Sequence, residues 1–584
     1  MLDKPMVEKY TLWRERALDD PDLTAELAEI ENDEEQIRDR FYRELEFGTG
    51  GLRGVLGAGD NRMNVYTVRR ATQGLADYLN ARYDRAAVAI SYDSRIKSDR
   101  FAREAACVLA ANGIAVHLFG ELNPTPVLSF AVRELGCQAG IMVTASHNPA
   151  KYNGYKCYGP DGCQMTDHDA GEVTACIREV DLFEDVKTVD FHQALADGRI
   201  TLIPDSLVED FLRNVLSRQV NPGVCAETPL KVVYTPLNGT GNKPVREVLR
   251  RIGVSSVTVV PEQEKPDGRF PTAPYPNPEI REAFGCALKL AEREEPDLLL
   301  ATDPDCDRVG IAVRNGGDYT LMTGNEVGCL LLNYILSCRA AKGDLPEEPV
   351  VVKTIVTTDL ATRIGEKYGC RMVEVLTGFK YIGEQIGLLE KAGHPERYIF
   401  GFEESYGYLS GTYVRDKDAV VASMLICEMA AYYRKQGKNL LQVLEELYAE
   451  YGVFRHSLLN AEFEGASGMA AMQRLMASLR EKRPASIAGG AFLRLSGLRT
   501  DGSAHRRNGQ AGSAQIQCPL LWAGEGGRRD RTSFRDRAQD QILYHRNWSG
   551  RGRRRCHGRR PAGPVRQHGQ GSPGVHGGEP GGGL

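Results

Sequence analysis

Apolar and polar residues alternate with two different periods along most of the first 450 residues. Helical spacing and short apolar runs predict, in order, a helix at 67–82, a strand at 86–91, a helix at 98–112, a strand at 114–118, a helix at 125–135 and a strand at 139–143. Such alternation is typical of βαβ units on a mainly parallel sheet. A similar cycle restarts with strand-like runs at 231–235 and again at 350–354. We therefore expect an α/β protein with three consecutive α/β domains, each built on a mainly parallel sheet.

The residues before this alternation predict one helix and a glycine loop. Residues 22–47 have apolar positions at helical spacing, and Asp20 with Pro21 forms a typical cap and first turn. The loop follows at 47–54, where backbone N–H groups and Arg53 suit a phosphate, although a flexible connection fits the same residues. It has neither a Walker motif nor the G-x-G-x-x-G pattern of a dinucleotide fold.

Two polar loops each follow directly on a predicted buried strand. Residues 144–149 read Thr-Ala-Ser-His-Asn-Pro after the strand at 139–143, and residues 303–308 read Asp-Pro-Asp-Cys-Asp-Arg after an apolar run at 297–301. Loops at the carboxyl ends of strands are where open α/β sheets bind ligands. Either loop alone also fits an ordinary turn, because Asp, Asn, Pro and Ser favour turns. Together the two loops indicate a phosphoryl-transfer site.

The chemistry of the two loops is complementary. Serine is a weak nucleophile at neutral pH and needs a base or a cation beside it. Asp303, Asp305 and Asp307 alternate, so their carboxylates can converge on one hard cation, and oxygen-only ligands favour Mg²⁺. Cys306 is a poor candidate ligand, since soft sulfur does not match these hard neighbours.

A third polar loop lies in the last of the three domains. Residues 401–408 read Gly-Phe-Glu-Glu-Ser-Tyr-Gly-Tyr after the apolar residues 398–400. Two acids beside a serine suit the hydroxyls of a sugar, while a charged surface turn is the alternative. Downstream, residues 415–418 offer cations that fit either a phosphate or a solvated charge cluster.

Composition narrows the class of protein. The 584 residues are 42% hydrophobic and 26% charged, which is typical of a soluble globular protein, and no apolar stretch approaches the roughly 20 residues of a membrane span. The N-terminus lacks an apolar signal core. Fourteen cysteines without metal-site spacing predict reduced core thiols. We expect a cytoplasmic protein without a membrane partner.

These motifs together resemble the α-D-phosphohexomutase family, and most closely its phosphoglucomutase branch. The resemblance covers roughly residues 35 to 480 and implies that the three α/β domains, with mixed, mainly parallel sheets, surround a central cleft. It rests on the serine loop with Lys-Tyr-Asn-Gly-Tyr-Lys at 151–156 after it, the Asp-Pro-Asp-x-Asp-Arg loop, Thr-Gly-Phe-Lys at 377–380, and the Gly-Phe-Glu-Glu-Ser-Tyr-Gly loop.

The resemblance implies a role for each matching residue. Ser146 carries the phosphoryl group, and Mg²⁺ is held by Asp303, Asp305, Asp307 and an oxygen of the phosphoserine. His147, Lys156 and Arg53 handle protons and charge near the reacting oxygen. As a general acid or base, Lys156 needs a depressed pKa, and the neighbouring charge of Arg53 is the expected cause of that shift. The substrate is bound by a set of cleft residues: Arg308, Thr377, Gly378, Glu403, Ser405 and Lys417.

The resemblance also implies a reaction. Glucose 1-phosphate and glucose 6-phosphate are interconverted through the phosphoserine and a hexose 1,6-bisphosphate, with glucose 1,6-bisphosphate as primer. Phosphomannomutase or phosphopentomutase activity is the alternative within the family, and an inactive phosphosugar-binding remnant is the alternative outside it. The expected partners are sugar phosphates and not nucleic acids, and the oligomeric state stays open.

The chain departs from the family after residue 482, beyond which it has no lysine. The family's distal phosphate loop, Arg-Pro-Ser-Gly-Thr-Glu-Pro, does not occur. Residues 532–544, however, allow codons whose second frame encodes that loop followed by Lys-Ile-Lys-Phe-Tyr. We interpret this as a frameshift that begins roughly between residues 487 and 500, with impaired activity as its consequence.

The tail has a second interpretation. Residues 501–584 contain 15 Arg and 6 acidic residues, whereas the whole chain carries a net charge of −5. A basic run at 551–560 is also typical of a nucleic-acid-binding tail. Its Gly, Pro and Arg content predicts disorder in either case. The predicted boundaries are 1–205, 206–325 and 326–455 for the three domains, 456–490 for a remnant of the fourth, and 491–584 for the tail.

Overall fold

The computed structural model describes residues 4–48 and 50–457, and beyond them only short pieces between residues 471 and 548. Within the described residues, no helix is long and apolar enough to cross a bilayer. The predictions about the C-terminal tail and the frameshift lie largely outside the described residues. The three predicted α/β domains are confirmed, and each has its own sheet.

The first domain contains a six-stranded sheet in the order β1-β5-β4-β2-β3-β6. Its strands are β1 (Gly51–Val55), β2 (Ala87–Tyr92), β3 (Ala115–Phe119), β4 (Ala139–Val143), β5 (Tyr152–Tyr158) and β6 (Ile200–Ile203). β2 is parallel to β3 and β4, whereas β5 is antiparallel to β4 and β1. The three strands predicted in this region are therefore confirmed, and the second half of the predicted glycine loop forms the edge strand β1.

Eight helices accompany this sheet among the described residues: α1 (Lys4–Arg16), α2 (Pro21–Glu29), α3 (Glu34–Phe41), α4 (Val65–Asn80), α5 (Ser98–Ala111), α6 (Thr125–Glu134), α7 (Asp167–Glu179) and α8 (Phe191–Ala196). The single helix predicted at 22–47 is wrong. The carboxylate of Asp33 accepts a hydrogen bond from the Gln36 N–H at 3.0 Å, so a new helix starts there. The predicted cap at Asp20 is confirmed, since its side chain accepts from Asp22 N–H.

The second domain follows α9 (Asp205–Leu216) and α10 (Val224–Glu227). Its sheet has the order β11-β10-β9-β7-β8. The strands are β7 (Lys231–Thr235), β8 (Ser256–Val259), β9 (Leu298–Thr302), β10 (Val309–Asn315) and β11 (Asp318–Met322), and the helices are α11 (Asn242–Arg251), α12 (Pro261–Glu264) and α13 (Gly285–Glu294). β7 is parallel to β8 and β9, and β10 is antiparallel to β9.

The third domain has a four-stranded sheet in the order β13-β12-β14-β15. The strands are β12 (Val350–Thr354), β13 (Arg371–Val375), β14 (Tyr398–Glu403) and β15 (Gly407–Leu409), and the helices are α14 (Gly324–Lys342), α15 (Leu360–Lys367), α16 (Phe379–Lys391), α17 (Ala419–Lys435) and α18 (Leu440–Tyr451). β12 is parallel to β13 and β14, and β15 is antiparallel to β14. A strand β16 (Val453–Ser457) follows and pairs with residues 544–548.

Each of the three sheets carries one polar loop, and the three loops occupy the same topological position in their domains. In each domain one buried strand of the parallel set turns back into an antiparallel neighbour: β4 into β5, β9 into β10, and β14 into β15. The serine loop, the aspartate loop and the Glu-Glu-Ser loop are these three turns. Each turn therefore lies at the carboxyl end of a parallel strand, as the sequence predicts.

Candidate active site

The serine loop is held in place by buried polar side chains. Ser146 has a positive φ of 51°, and its N–H donates to the hydroxyl of Thr144 at 2.8 Å. That hydroxyl donates to the Asp93 carboxylate at 2.6 Å. The buried guanidinium of Arg95 donates to the carbonyls of Pro149 and Tyr152, each at 3.0 Å, and also to the carbonyls of Ser146 and Asn148. These contacts fix the loop in the left-handed conformation that aims Ser146 into the cleft.

The aspartate loop meets the serine loop directly. Ser146 Oγ donates to Asp303 Oδ2 at 2.7 Å and lies 3.2 Å from Nδ1 of His147. Asp303, Asp305 and Asp307 are all buried, and each has a ligand atom within 4.8 Å of the other two. Burial and the two neighbouring carboxylates raise the pKa of Asp303 well above its usual range. A cluster of three buried carboxylates therefore faces the predicted nucleophile.

The oxygen atoms of this cluster fit a hard cation. Asp303 Oδ1 accepts from the N–H groups of Asp307 and Arg308, at 3.1 and 3.0 Å. Asp305 Oδ1 and Asp307 Oδ1 are buried and have no hydrogen-bond partner among the described residues. Buried carboxylate oxygens without a partner are costly, and a divalent cation with oxygen ligands would satisfy them. Cys306 instead packs in the hydrophobic core, as expected for a residue that is not a ligand.

Two lysines form ion pairs with the Oδ2 atoms of Asp305 and Asp307. Lys156 Nζ lies 2.9 Å from Asp305 Oδ2 and 3.7 Å from Asp307 Oδ2. Lys417 Nζ lies 3.1 Å from Asp307 Oδ2 and 3.0 Å from Oδ1 of Asp416. Lys417, expected at the substrate, therefore also contacts a predicted metal ligand.

The predicted direction of the Lys156 pKa is wrong. Burial disfavours the ammonium, but the carboxylates of Asp305 and Asp307 outweigh it and raise the pKa above its ordinary value. Arg53 is exposed on the edge strand, and the pairing of Gly51 with Lys156 places it diagonally across from Lys156 on one face of the sheet.

The Glu-Glu-Ser loop at 401–408, called the sugar loop from here on, is linked to the aspartate loop by hydrogen bonds. Arg308 Nη1 donates to the carbonyl of Ser405 at 3.1 Å and pairs with Glu279 at 2.8 Å. The N–H of Val309 donates to the carbonyl of Tyr406 at 3.2 Å. The two loops, which belong to different domains, are thus joined by the hydrogen bonds from Arg308 to Ser405 and from Val309 to Tyr406.

Glu403 and Ser405 are both buried in this loop. Glu403 Oε1 accepts from the N–H of Gly378 at 2.9 Å, so the predicted Thr377–Gly378 segment lies beside it. Burial raises the pKa of Glu403 above its usual range, although the charges of Lys417 and Arg308 oppose the shift. The third domain therefore brings a carboxyl group and a hydroxyl group to the aspartate loop.

Several residues of the site have no motif that reveals them in the sequence. Asp93 and Arg95 hold the serine loop, through Thr144 and the carbonyl of Ser146. Thr125 contacts Asp305, and Glu279 pairs with Arg308. Asp416, in the run at 415–418, pairs with Lys417. Asp93 and Arg95 follow a predicted strand, as the site loops do, which is the one sequence signal for them. The two cations predicted at 415–418 have different surroundings. Lys417 contacts the carboxylate cluster, whereas Arg415 is buried away from it and pairs with Glu390 at 2.5 Å.

The fold and the site together define a class of enzyme. A buried serine against three carboxylates, with a sugar-type loop from a third α/β domain, is the arrangement of the phosphohexomutases. Residues 44–183, 209–317 and 323–451 match the sequence profiles of phosphoglucomutase/phosphomannomutase α/β/α domains I, II and III. The chain belongs to this family of isomerases, which transfer a phosphoryl group.

Individual relatives agree with the family. The phosphoglucomutase of Staphylococcus aureus strain N315 is 38% identical over 480 residues, which cover 82% of this chain and 84% of that protein. The phosphoglucomutase of Staphylococcus haemolyticus strain JCSC1435 is 37% identical over 451 residues, covering 77% of this chain and 80% of that protein. A phosphoglucomutase/phosphomannomutase family protein from Burkholderia thailandensis has a similar fold, with a TM-score of 0.57 and 18% identity over 76% of this chain and 87% of that one.

Proposed function

We propose that this chain is a Mg²⁺-dependent phosphoglucomutase that interconverts glucose 1-phosphate and glucose 6-phosphate. The observation that carries the proposal is the 2.7 Å contact between Ser146 Oγ and Asp303 Oδ2, both buried, at the meeting point of two domains. A serine so placed is suited to hold a phosphoryl group beside a cation. Bound Mg²⁺ would neutralise charge on the phosphoryl oxygens, and Asp303, Asp305 and Asp307 are the residues that would hold it.

In the first half-reaction, phosphoserine 146 gives its phosphoryl group to a sugar hydroxyl. The bond between Ser146 Oγ and phosphorus breaks as the bond between the sugar oxygen and phosphorus forms, and the proton of the sugar hydroxyl ends on the released Ser146 Oγ. The His147 ring lies 3.2 Å from Ser146 Oγ and is suited to relay this proton. Lys156 and Arg53 contribute positive charge near the transferred group.

In the second half-reaction, the hexose 1,6-bisphosphate reorients in the cleft and transfers its other phosphoryl group to Ser146. Glu403 and Ser405 are placed to accept and donate hydrogen bonds to the sugar hydroxyls in both orientations. Since their loop is bonded to the aspartate loop through Arg308 and Val309, the sugar is held at a fixed distance from the phosphoryl donor. Thr377, Gly378 and Lys417 complete this side of the cleft. Glucose 1,6-bisphosphate serves as primer because it phosphorylates Ser146.

The preference for glucose is supported by the two staphylococcal relatives, which are phosphoglucomutases. Mannose and pentose phosphates are the competing substrates, because Glu403 and Ser405 by themselves do not distinguish the epimers. We also propose a cytoplasmic location: all twelve cysteines among the described residues are free thiols, and ten of them are buried.

We further propose that the 584-residue chain catalyses the mutase reaction at a reduced rate. The family's distal phosphate loop does not occur in this sequence, and binding of the remote phosphate positions the reacting hydroxyl. Loss of that binding lowers kcat/KM by on the order of 10² to 10⁴. Water that enters the cleft would also hydrolyse phosphoserine and release phosphate.

The test is a coupled assay of glucose 6-phosphate formation with Mg²⁺ and primer. It compares this chain, a frame-restored chain, and each of them with Ser146→Ala or with Ser217→Ala, an exposed serine outside the site. We expect turnover in the frame-restored chain, none with Ser146→Ala, and full turnover with Ser217→Ala. Mannose 1-phosphate and ribose 1-phosphate are assayed in parallel. Absence of turnover of every sugar phosphate by the frame-restored chain would refute the proposed function, and equal rates in the two chains would refute the impairment.

A further inference from the structure

The first turn of helix α6 in the first domain contacts the aspartate loop of the second. The backbone N–H of Thr125 donates to the carbonyl oxygen of Asp305 at 2.9 Å, and the Thr125 hydroxyl donates to Asp305 Oδ2 at 3.0 Å. The residue before the helix is Pro124, and it makes no side-chain hydrogen bond to the helix. A predicted metal ligand thus satisfies the first N–H of a helix that belongs to another domain.

The two donors on Asp305 both use the same oxygen. Oδ2 accepts from the Thr125 hydroxyl and, at 2.9 Å, from Lys156 Nζ, whereas Oδ1 is buried without a hydrogen-bond partner among the described residues. Thr125 and Asp305 are both fully buried, so water does not compete for this contact. The two donors select one rotamer of the carboxylate and leave Oδ1 as the oxygen available to a cation.

Thr125 differs from Lys156 in what it brings to Asp305. The lysine carries a charge and reaches Asp307 as well, so it changes the electrostatics of the whole cluster. The threonine hydroxyl is neutral and touches only Asp305 among the three aspartates, at 3.0 Å. Its contribution is directional, because a hydrogen bond to one oxygen fixes the plane of the carboxyl group.

We propose that Thr125 is a positioning residue of the metal centre: by holding Oδ2 of Asp305 it orients Oδ1 of that residue towards the bound cation. The inference rests on the proposed function, since it assumes that the aspartate cluster binds Mg²⁺. Hydrogen-bond partners of metal ligands typically contribute 10- to 100-fold to metal affinity. Loss of the hydroxyl should therefore weaken metal binding even where the fold is retained.

Helix α6 also supplies a matched control. Ser129 lies one turn further along the helix, where its hydroxyl donates to the carbonyl of Gly162 at 2.6 Å and accepts from the N–H of Arg415 at 2.9 Å. Ser129→Ala removes a buried hydroxyl from the same helix and weakens its contact with the third domain. This change does not touch the aspartate loop.

The experiment measures the dissociation constant of Mn²⁺, by paramagnetic resonance, and of Mg²⁺, by competition, on the dephosphorylated full chain without substrate. Wild type is compared with Thr125→Val, Thr125→Ala, Thr125→Ser and Ser129→Ala, and with Asp305→Asn as the site-loss reference. We expect affinity to fall about 10-fold with Val and with Ala, and to stay within about 2-fold of wild type with Ser and with Ser129→Ala. Melting temperatures in a chelator report stability separately.

Each outcome decides one of the two proposals. If wild type binds Mn²⁺ no better than Asp305→Asn, the proposed metal site is wrong. If wild type binds but the Val and Ala variants bind equally well, only the role of Thr125 is refuted. A loss with Thr125→Ser as large as with Val, or an equal loss with Ser129→Ala, would show a general packing effect and also refute it. Failure of both the Val and the Ala variant to fold, judged by circular dichroism, would likewise assign Thr125 to the fold alone.

Discussion

Glu404, the second acid of the sugar loop, allows a quantitative prediction about stability. Its carboxylate is largely buried, and Oε2 accepts from the hydroxyl of Thr354 at 3.1 Å. Burial, with a further contribution from the charge of Glu403, raises the pKa of Glu404 from 4.5 to about 7. Replacing Glu404 with Gln removes the ionisation and keeps the shape and the hydrogen-bond acceptor.

The sign follows from the raised pKa of the folded state. An unfolded chain loses the Glu404 proton near pH 4.5 and the folded chain near pH 7, so the free energy of unfolding falls as the pH rises between these values. One pKa unit corresponds to about 1.4 kcal/mol, which gives a cost of about 3 kcal/mol above pH 7. Glu404→Gln should therefore match wild type near pH 4.5 and be more stable by about 3 kcal/mol at pH 8.

The measurement is thermal unfolding between pH 4.5 and 8.5. For a cooperative unit of 150 to 250 residues, each kcal/mol shifts the melting temperature by about 2 to 4 °C, so the variant should gain roughly 6 to 12 °C at pH 8. Glu384→Gln, an exposed change on α16, is the control for loss of one negative charge and should follow wild type at every pH. A constant difference between Glu404→Gln and wild type across this range would refute the reasoning, because it would show that Glu404 does not titrate there.

Three further predictions concern the site and the domain contacts. Ser146→Ala should abolish transfer of labelled phosphate from glucose 1,6-bisphosphate to the protein; label retained on this variant would move the nucleophile elsewhere. Asp305→Asn should weaken Mg²⁺ binding at least about 10-fold by calorimetry with little change in the chelated melting temperature, and unchanged affinity would exclude Asp305 as a ligand. Glu390→Gln should lower the free energy of unfolding by about 1 to 3 kcal/mol, because the buried Arg415 loses its charged partner; an unchanged urea midpoint would contradict this.

The sequence predicts the strands of the sheets well because their signal is local. The predicted strands at 139–143, 231–235 and 350–354 agree with the ends of β4, β7 and β12. Each is a short, mostly apolar run whose residues are buried except for Lys231, as expected for inner strands of a parallel sheet. The helix predicted at 22–47 is wrong because its apolar period continues across a break that Asp33 creates by capping a new helix. The sequence pattern does not predict helix α1, since residues 4–16 are mostly polar.

Site residues can be predicted from the sequence where they belong to a recognisable motif, but not where only tertiary contacts bring them to the site. Ser146 and the three aspartates occur in motifs, and their loops meet as expected. Thr125 has no such signal: it looks like an ordinary helix-start residue, and its partner Asp305 lies 180 residues away in sequence. The expected direction of the Lys156 pKa is wrong for the same reason, because only the tertiary structure shows two carboxylates within 4 Å of its ammonium.

The contact between the serine loop and the aspartate loop has a consequence for protein synthesis. Ser146 and Asp303 are 157 residues apart in the chain. At roughly 5 to 20 residues per second, a ribosome needs about 8 to 30 s to add the second after the first. During that interval the first domain can fold with its serine loop already held by Arg95, while its carboxylate partner has not yet been made. In the terms of the proposed function, the nascent chain therefore lacks the carboxylate partner of Ser146 until the second domain has been made, and the loop with Glu403 and Ser405 follows still later.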